Sequence, residues 1–185
     1  MNTTSAPSLV PTLFIASDHA GFALKSHLIQ TLSGKSPGKA SGTISLPLVS
    51  APGGMAAWRW KDLGPSSADR VDYPDYAQAL SRELLKTRED EARHAQEQSV
   101  QSFGILICGS GQGMAMAANR FKGIRAALTW SIDSTRLSRE HNDANILCLG
   151  ARLIEPALAV TLVETFLQTP FEGGRHAGRV AKIEC

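Results

Sequence analysis

The sequence has no run of the ~18 apolar residues that a membrane-spanning helix needs. It has no surplus of one charge: 19 Lys and Arg against 17 Asp and Glu give a formal charge of +2, too weak a balance to point to nucleic acid or a membrane surface. Small anions stay in play, because for them the local placement of Arg and His outweighs net charge. Cysteine is scarce. Cys108, Cys148 and Cys185 are odd in number and far apart, so they make neither a disulfide framework nor a zinc-type pair, and no metal cluster is legible. A reduced, cytoplasmic protein is expected. The segment Met1–Thr12 is rich in Ser, Thr and Pro and lacks the basic start and apolar run of a secretory signal. It is expected to be a flexible tail, with one domain over 13–185. A chain of 185 residues with 43% hydrophobic and 19% charged residues is long enough for a sizeable core.

What is present is alternation. Leu13–Ser17 is a short apolar strand, and Phe22–Leu32 has helical spacing with Leu24, Leu28, Ile29 and Leu32 on one side. Residues 33–56 are rich in Gly, Ser and Pro, and only Ile44–Val49 looks like a strand. An exposed excursion near 33–66 is expected there. Asp72-Tyr73-Pro74-Asp75-Tyr76 opens a helix, with Pro74 suited to its first turn. Thr87–Ser102 is polar and either continues that helix or forms a loop. Strands are then expected at Phe103–Cys108, Ile124–Trp130 and Ile146–Leu149, and helices at Met114–Arg120, Ser134–Glu140, Pro156–Gln168 and His176–Ile183. Strands alternating with helices predict a mostly parallel sheet covered on both faces. Ligands bind such sheets at the carboxyl ends of the strands. Asp18-His19, Cys108-Gly109-Ser110 and the loop after Trp130 fall at that edge.

The turn Cys108-Gly109-Ser110-Gly111-Gln112-Gly113 is the most informative local feature. Its glycines let the backbone bend sharply and present N–H groups to an oxyanion, with a helix start behind them. A helix N-terminus raises the thiolate fraction of a nearby cysteine, so Cys108 reads either as a base or nucleophile or as a small buried hydrophobe. Ser110 either touches a substrate oxygen or caps the following helix. Asp133, 22 residues after Gly111, loosely resembles the ribose-binding acid of a nucleotide site, but the glycine spacing does not complete that signature. Asp18-His19 reads as a ligand pair or as a turn with a capping carboxylate. His141 reads as a catalytic imidazole or as a helix-end residue held by the dipole. Arg175 and Arg179, four apart, share a face if helical. They would either hold a phosphate or form a solvated basic surface.

Taken in order, these segments resemble a known family. Ala16-Ser17-Asp18-His19-Ala20-Gly21-Phe22-Ala23-Leu24-Lys25 is similar to the opening of type B ribose-5-phosphate isomerases, the family that also contains galactose-6-phosphate isomerase subunits. Asp72-Tyr73-Pro74-Asp75-Tyr76-Ala77, Gly104–Met114 with Ala117-Ala118-Asn119-Arg120, Gly123-Ile124-Arg125-Ala126, Ser138–Asn145 and Phe171-Glu172-Gly173-Gly174-Arg175-His176 resemble the later motifs, in the family's order. The details are nearest the protozoan branch.

The resemblance implies a Rossmann-like α/β/α sandwich, a homodimer or dimer of dimers, and an active site shared between subunits. It implies no cofactor and no metal. Cys108 would shuttle the proton between C2 and C1 of ribose 5-phosphate and ribulose 5-phosphate. His141 would assist ring opening, and Asp18 would bind the ring-oxygen or C4-hydroxyl end. Ser110 with the backbone of Gly109, Gly111 and Gly113 would stabilise the enediolate. Tyr73, Asn119 and Asn142 would contact sugar hydroxyls, and His19, Arg152, Arg175 and Arg179 the phosphate, the last two from the partner subunit. The stretches 34–65 and 87–102 are longer than the family pattern. A six-carbon sugar phosphate such as allose 6-phosphate, a nucleotide-binding module and a scaffolding subunit are the competing readings.

Overall fold

The computed structural model describes residues 10–33, 41–47, 55–94 and 101–184. Most of the expected tail, the end of the expected strand at 48–49 and Cys185 lie outside the described residues. Six strands form one sheet: β1 (Thr12–Ser17), β2 (Ser41–Pro47), β3 (Met55–Asp62), β4 (Phe103–Cys108), β5 (Ala126–Leu128) and β6 (Ile146–Gly150), in the order β2-β3-β1-β4-β6-β5. Only the β2–β3 pair is antiparallel. The helices are α1 (Phe22–Ser33), α2 (Tyr73–Arg93), α3 (Gln112–Ala118), α4 (Ile132–Glu140), α5 (Pro156–Gln168) and α6 (Ala177–Val180), the last preceded by a 3-10 turn, Gly174–His176.

The central strands are apolar on both faces because helices cover both. Successive side chains point to opposite faces. Phe14, Ala16, Leu106, Cys108, Ile146 and Cys148 pack in one cluster with Leu80 and Leu84 of α2 and Met114 of α3. Leu13, Ile15, Ile105, Ile107, Leu147 and Leu149 pack in the other with Leu24 and Leu28 of α1 and Leu162 and Phe166 of α5. The expected α/β/α sandwich is the fold observed.

The parallel register sets the height of each functional residue. Gly104 pairs with Ile146 and Cys108 with Gly150. Asp18 donates its N–H to the Ile107 carbonyl at 3.0 Å. Asp18, Cys108 and Gly150 therefore share the carboxyl edge. Each helix then carries the chain back. The nine residues of α4 rise about 13 Å, and the Asn145 carbonyl accepts from Gly104 N–H at the opposite, amino edge.

One expectation changes. Residues 55–62 are not part of a surface excursion: they form β3, paired with β1 from Thr12–Arg59 to Ile15–Asp62. Trp58 and Trp60 are 1% and 4% exposed, and Trp58 lies 6.0 Å from the Phe103 ring. The Gly/Ser/Pro content around the segment hid a strand whose two tryptophans fill the core. The helix opened at Tyr73 runs on to Arg93, so the polar stretch is helical as far as that residue. If Trp58 is a core residue, Trp58→Ala costs about 3–5 kcal/mol. A surface position would change by less than about 0.5 kcal/mol. Urea denaturation followed by circular dichroism separates the two.

Candidate active site

At the carboxyl edge the chain gathers its candidate residues around Cys108. The thiol is buried at the last position of β4, and Gly111 donates its N–H to Sγ at 3.1 Å. Gly111 has φ +76° and begins α3. A Cβ there would come within 2.5 Å of Leu128, so both conformation and space require glycine. Ser110 is exposed, with Oγ 3.4 Å from Gln112 N, a loose cap that leaves the hydroxyl available.

The other glycines of the turn are contact surfaces. A Cβ on Gly113 would meet the Tyr73 ring at 2.6 Å, and one on Gly109 would meet the Arg152 guanidinium at 3.4 Å. Tyr73, at the start of α2, and Arg152, just beyond β6, therefore flank the turn. Asp18, 7% exposed, accepts from Gly21 N at 2.9 Å, and His19 Nδ1 lies 3.1 Å from the Val71 carbonyl. Behind them Lys25 is buried, with Nζ at 2.6 and 2.8 Å from the two Asp62 oxygens and 2.7 Å from the Pro65 carbonyl. Burial holds this ammonium below its ordinary pKa, with Asp62 opposing. The bonds anchor the 62–65 turn, whose Gly64 carbonyl accepts from Ser17 N. Cys148 lies on the same sheet face as Cys108. Burial, and then the neighbouring Cys108, push that thiol far up, so it serves as a core residue.

The remaining candidates are at the amino edge. His141 caps the end of α4 and stacks on His176, ring centroids 4.1 Å apart and planes 5° from parallel. Glu172 Oε2 is 3.9 Å from His141 Nε2 and 3.6 Å from His176 Nε2. Arg175 Nε donates to His176 Nε2 at 3.3 Å. Arg175, Arg179 and Asn142 are exposed. The loop carrying His141 is fixed by Asp143 (φ 45°), which bonds Arg125 at 2.7 Å and Arg139 at 2.9 Å. The buried Arg139 guanidinium also sits 4.6 Å from the Phe103 ring. A cavity of about 650 Å³ opens beside β5 and includes Asn119 and Asn142 in its wall, but not Cys108.

The Asn119 amide donates to the Ala126 carbonyl at 2.9 Å and accepts from Ala126 N at 2.8 Å, so it holds the edge strand β5. Glu172 and His176 carry no signal of their own in the sequence beyond the segment Phe171–His176. Their nearness to His141 depends on the return of α4 and α5 to one edge, which no local pattern encodes. Asp133 is an exposed residue of α4 beside Arg136.

The glycine turn after Cys108 and the Asp18-His19 pair share the carboxyl edge of a doubly covered sheet, the edge at which such sheets bind small ligands. Comparison narrows the class. Residues 55–183 match the family described as Ribose/Galactose Isomerase. The chain is 40% identical over 172 residues to the probable ribose-5-phosphate isomerase B of Mycoplasma pneumoniae, covering 92% of this chain and 91% of that one. It resembles the solved ribose 5-phosphate isomerase of Thermotoga maritima (42% identity, TM-score 0.73, 94% and 97% coverage). It also resembles the type B enzyme of Trypanosoma cruzi (33% identity, TM-score 0.73, 95% of each chain). The chain belongs to the ribose/galactose isomerase family. The protozoan structure thus shares less identity with it than the bacterial one.

Burial of the His176 ring, then the neighbouring His141 and Arg175, hold its pKa below the ordinary histidine value. The unfolded chain therefore takes up this proton first. Stability falls as pH drops below about 6.5 and levels off below the folded pKa. His176→Gln should flatten that part of the stability–pH curve. An unchanged slope in denaturation from pH 7 to 5 would show that His176 does not contribute it.

Proposed function

We propose that the chain, acting as one isomerase domain over 13–185, interconverts D-ribose 5-phosphate and D-ribulose 5-phosphate through a cis-enediolate, in a homodimer whose two sites are each built from both subunits. The observation that carries the shared site is the separation of its parts. Asp18, His19, Tyr73, Cys108–Gly113 and Arg152 lie at the carboxyl edge, whereas His141, Asn142, Arg175 and Arg179 lie at the amino edge. A two-fold axis perpendicular to the strands beside β5 would reverse the partner's strands and set its amino edge against the first subunit's carboxyl edge. The surface there suits an isologous contact. Met116 is 66% exposed, Trp130 63%, Ile132 48% and Leu153 68%, around the edge strand β5.

Chemistry follows from the placement. His141 of the partner subunit takes the proton from the anomeric hydroxyl and passes it to the ring oxygen as the C1–O bond breaks, while Asp18 holds the ring-oxygen end. The Cys108 thiolate removes the C2 proton and the C1 carbonyl becomes the enediolate oxygen; the C2 hydroxyl proton then passes to O1, and the Cys108 thiol returns its proton to C1 as C2 becomes the carbonyl. One base serves because both carbons present the same face. The Gly111 N–H is committed to Sγ, so the Gln112 and Gly113 N–H groups with Ser110 are left to hold the oxyanion. Arg152 and His19 on one side, and Arg175 and Arg179 from the partner subunit, bind the phosphate. A thiolate base requires a reduced compartment, which supports a cytoplasmic location.

Two measurements test this. Mixing Cys108→Ser with His141→Ala subunits should restore about a quarter of wild-type activity, because half the dimers then hold one complete site. A site within one chain would give no rescue. His141→Ala should also slow turnover of the ring-closed sugar far more than that of the open-chain form. Equal slowing of both would remove ring opening from its role.

A further inference from the structure

His141 lies about thirty residues before Glu172 and His176, which are four apart, yet the ligand atoms of all three lie within 4.8 Å of one another. We propose that these three side chains form a site for a divalent first-row transition-metal ion, Zn²⁺ fitting best, and that its occupancy inhibits the enzyme by capturing His141. The inhibitory half of the proposal rests on the shared-site function; the binding half does not.

Two imidazoles and one carboxylate are the donor set of three-ligand zinc sites that keep a fourth position open. Zn–N and Zn–O bonds of about 2.0–2.2 Å place ligands roughly 3.3–3.6 Å apart in a tetrahedron. The Glu172–His176 separation of 3.6 Å already meets this, and the Glu172–His141 separation of 3.9 Å nearly does. His176 is the fixed member, with its side chain 7% exposed. Glu172 (52%) and His141 (34%) are free to close on the ion.

The backbone prepares the site. Glu172 donates its N–H to the Glu140 carbonyl at 3.1 Å, which sets the 172 segment beside the end of α4. The parallel stack of the two rings must open for both lone pairs to converge. Arg175, which donates to His176 Nε2, must swing away; it is exposed and able to do so. Arg179 also lies near His176 and opposes a cation. Oxygen-preferring Mg²⁺ has little claim on a site with two nitrogen donors.

Once coordinated through Nε2, His141 has no lone pair there for the ring-opening proton. The ion would therefore slow the ring-closed sugar and spare the open-chain form.

The test uses the full chain freed of metal with a chelator. Zn²⁺ is titrated in competition with a chromophoric chelator, with Mg²⁺ as the control ion. One Zn²⁺ per chain is expected, with affinity reduced at least tenfold in E172Q and in H176Q, and unchanged in C108S. Glu172 is exposed, so E172Q keeps the test valid if H176Q fails to fold. Loss of binding in C108S alone, or X-ray absorption showing sulfur around the ion, would place the metal on the thiolate and overturn the proposal. Inhibition of ribose 5-phosphate turnover, reversed by chelator and weakened at least tenfold in E172Q, is expected. Binding that depends on Glu172 and His176 but leaves turnover untouched would overturn the inhibitory half and count against His141 as the ring-opening group, while the metal site stands.

Discussion

A parallel strand and the helix that follows it end at opposite edges of the sheet, and this constraint governs the whole site. Cys108 ends β4 and Asp18 follows β1, so both reach the carboxyl edge. His141 ends α4, and Glu172 and His176 follow α5, so they reach the amino edge. No rearrangement within one chain joins these sets without breaking the register of β1, β4 and β6. The proposed two-fold pair is the arrangement that would bring the two sets together.

Within each edge the packing is specific about which atoms may move. The glycine turn is held by contacts that a methyl group would violate, against Leu128 at Gly111 and Tyr73 at Gly113. The thiol is buried and receives one N–H bond. At the other edge, Arg125, Arg139 and Asp143 lock the loop behind His141, while the imidazole itself stays a third exposed. The thiol is thus fixed in place. The imidazole at the amino edge keeps some freedom.

Much of the fold was legible because alternating apolar strands and amphipathic helices carry their own periods. The strand Phe103–Cys108 and the helix Pro156–Gln168 fall where their patterns place them. β3 was hidden, since Met55–Asp62 sits beside Gly and Pro and its burial comes from partners on β1 and β2. The carboxyl-edge site was legible because the turn is contiguous. A site shared between edges has no signal in the sequence beyond the resemblance, and the bond of Asn119 to Ala126 depends on where β5 docks. The His141–Glu172–His176 cluster joins two segments about thirty residues apart, and such long-range meetings leave no local trace.

The most direct test of the central claim is a crystal structure of the assembled protein with a five-carbon sugar-phosphate analogue bound. The account predicts Cys108 of one chain at the C1–C2 end of the analogue, and His141 with Arg175 of the second chain on the same molecule. An analogue held by Cys108 with no residue from a second chain within contact would contradict it.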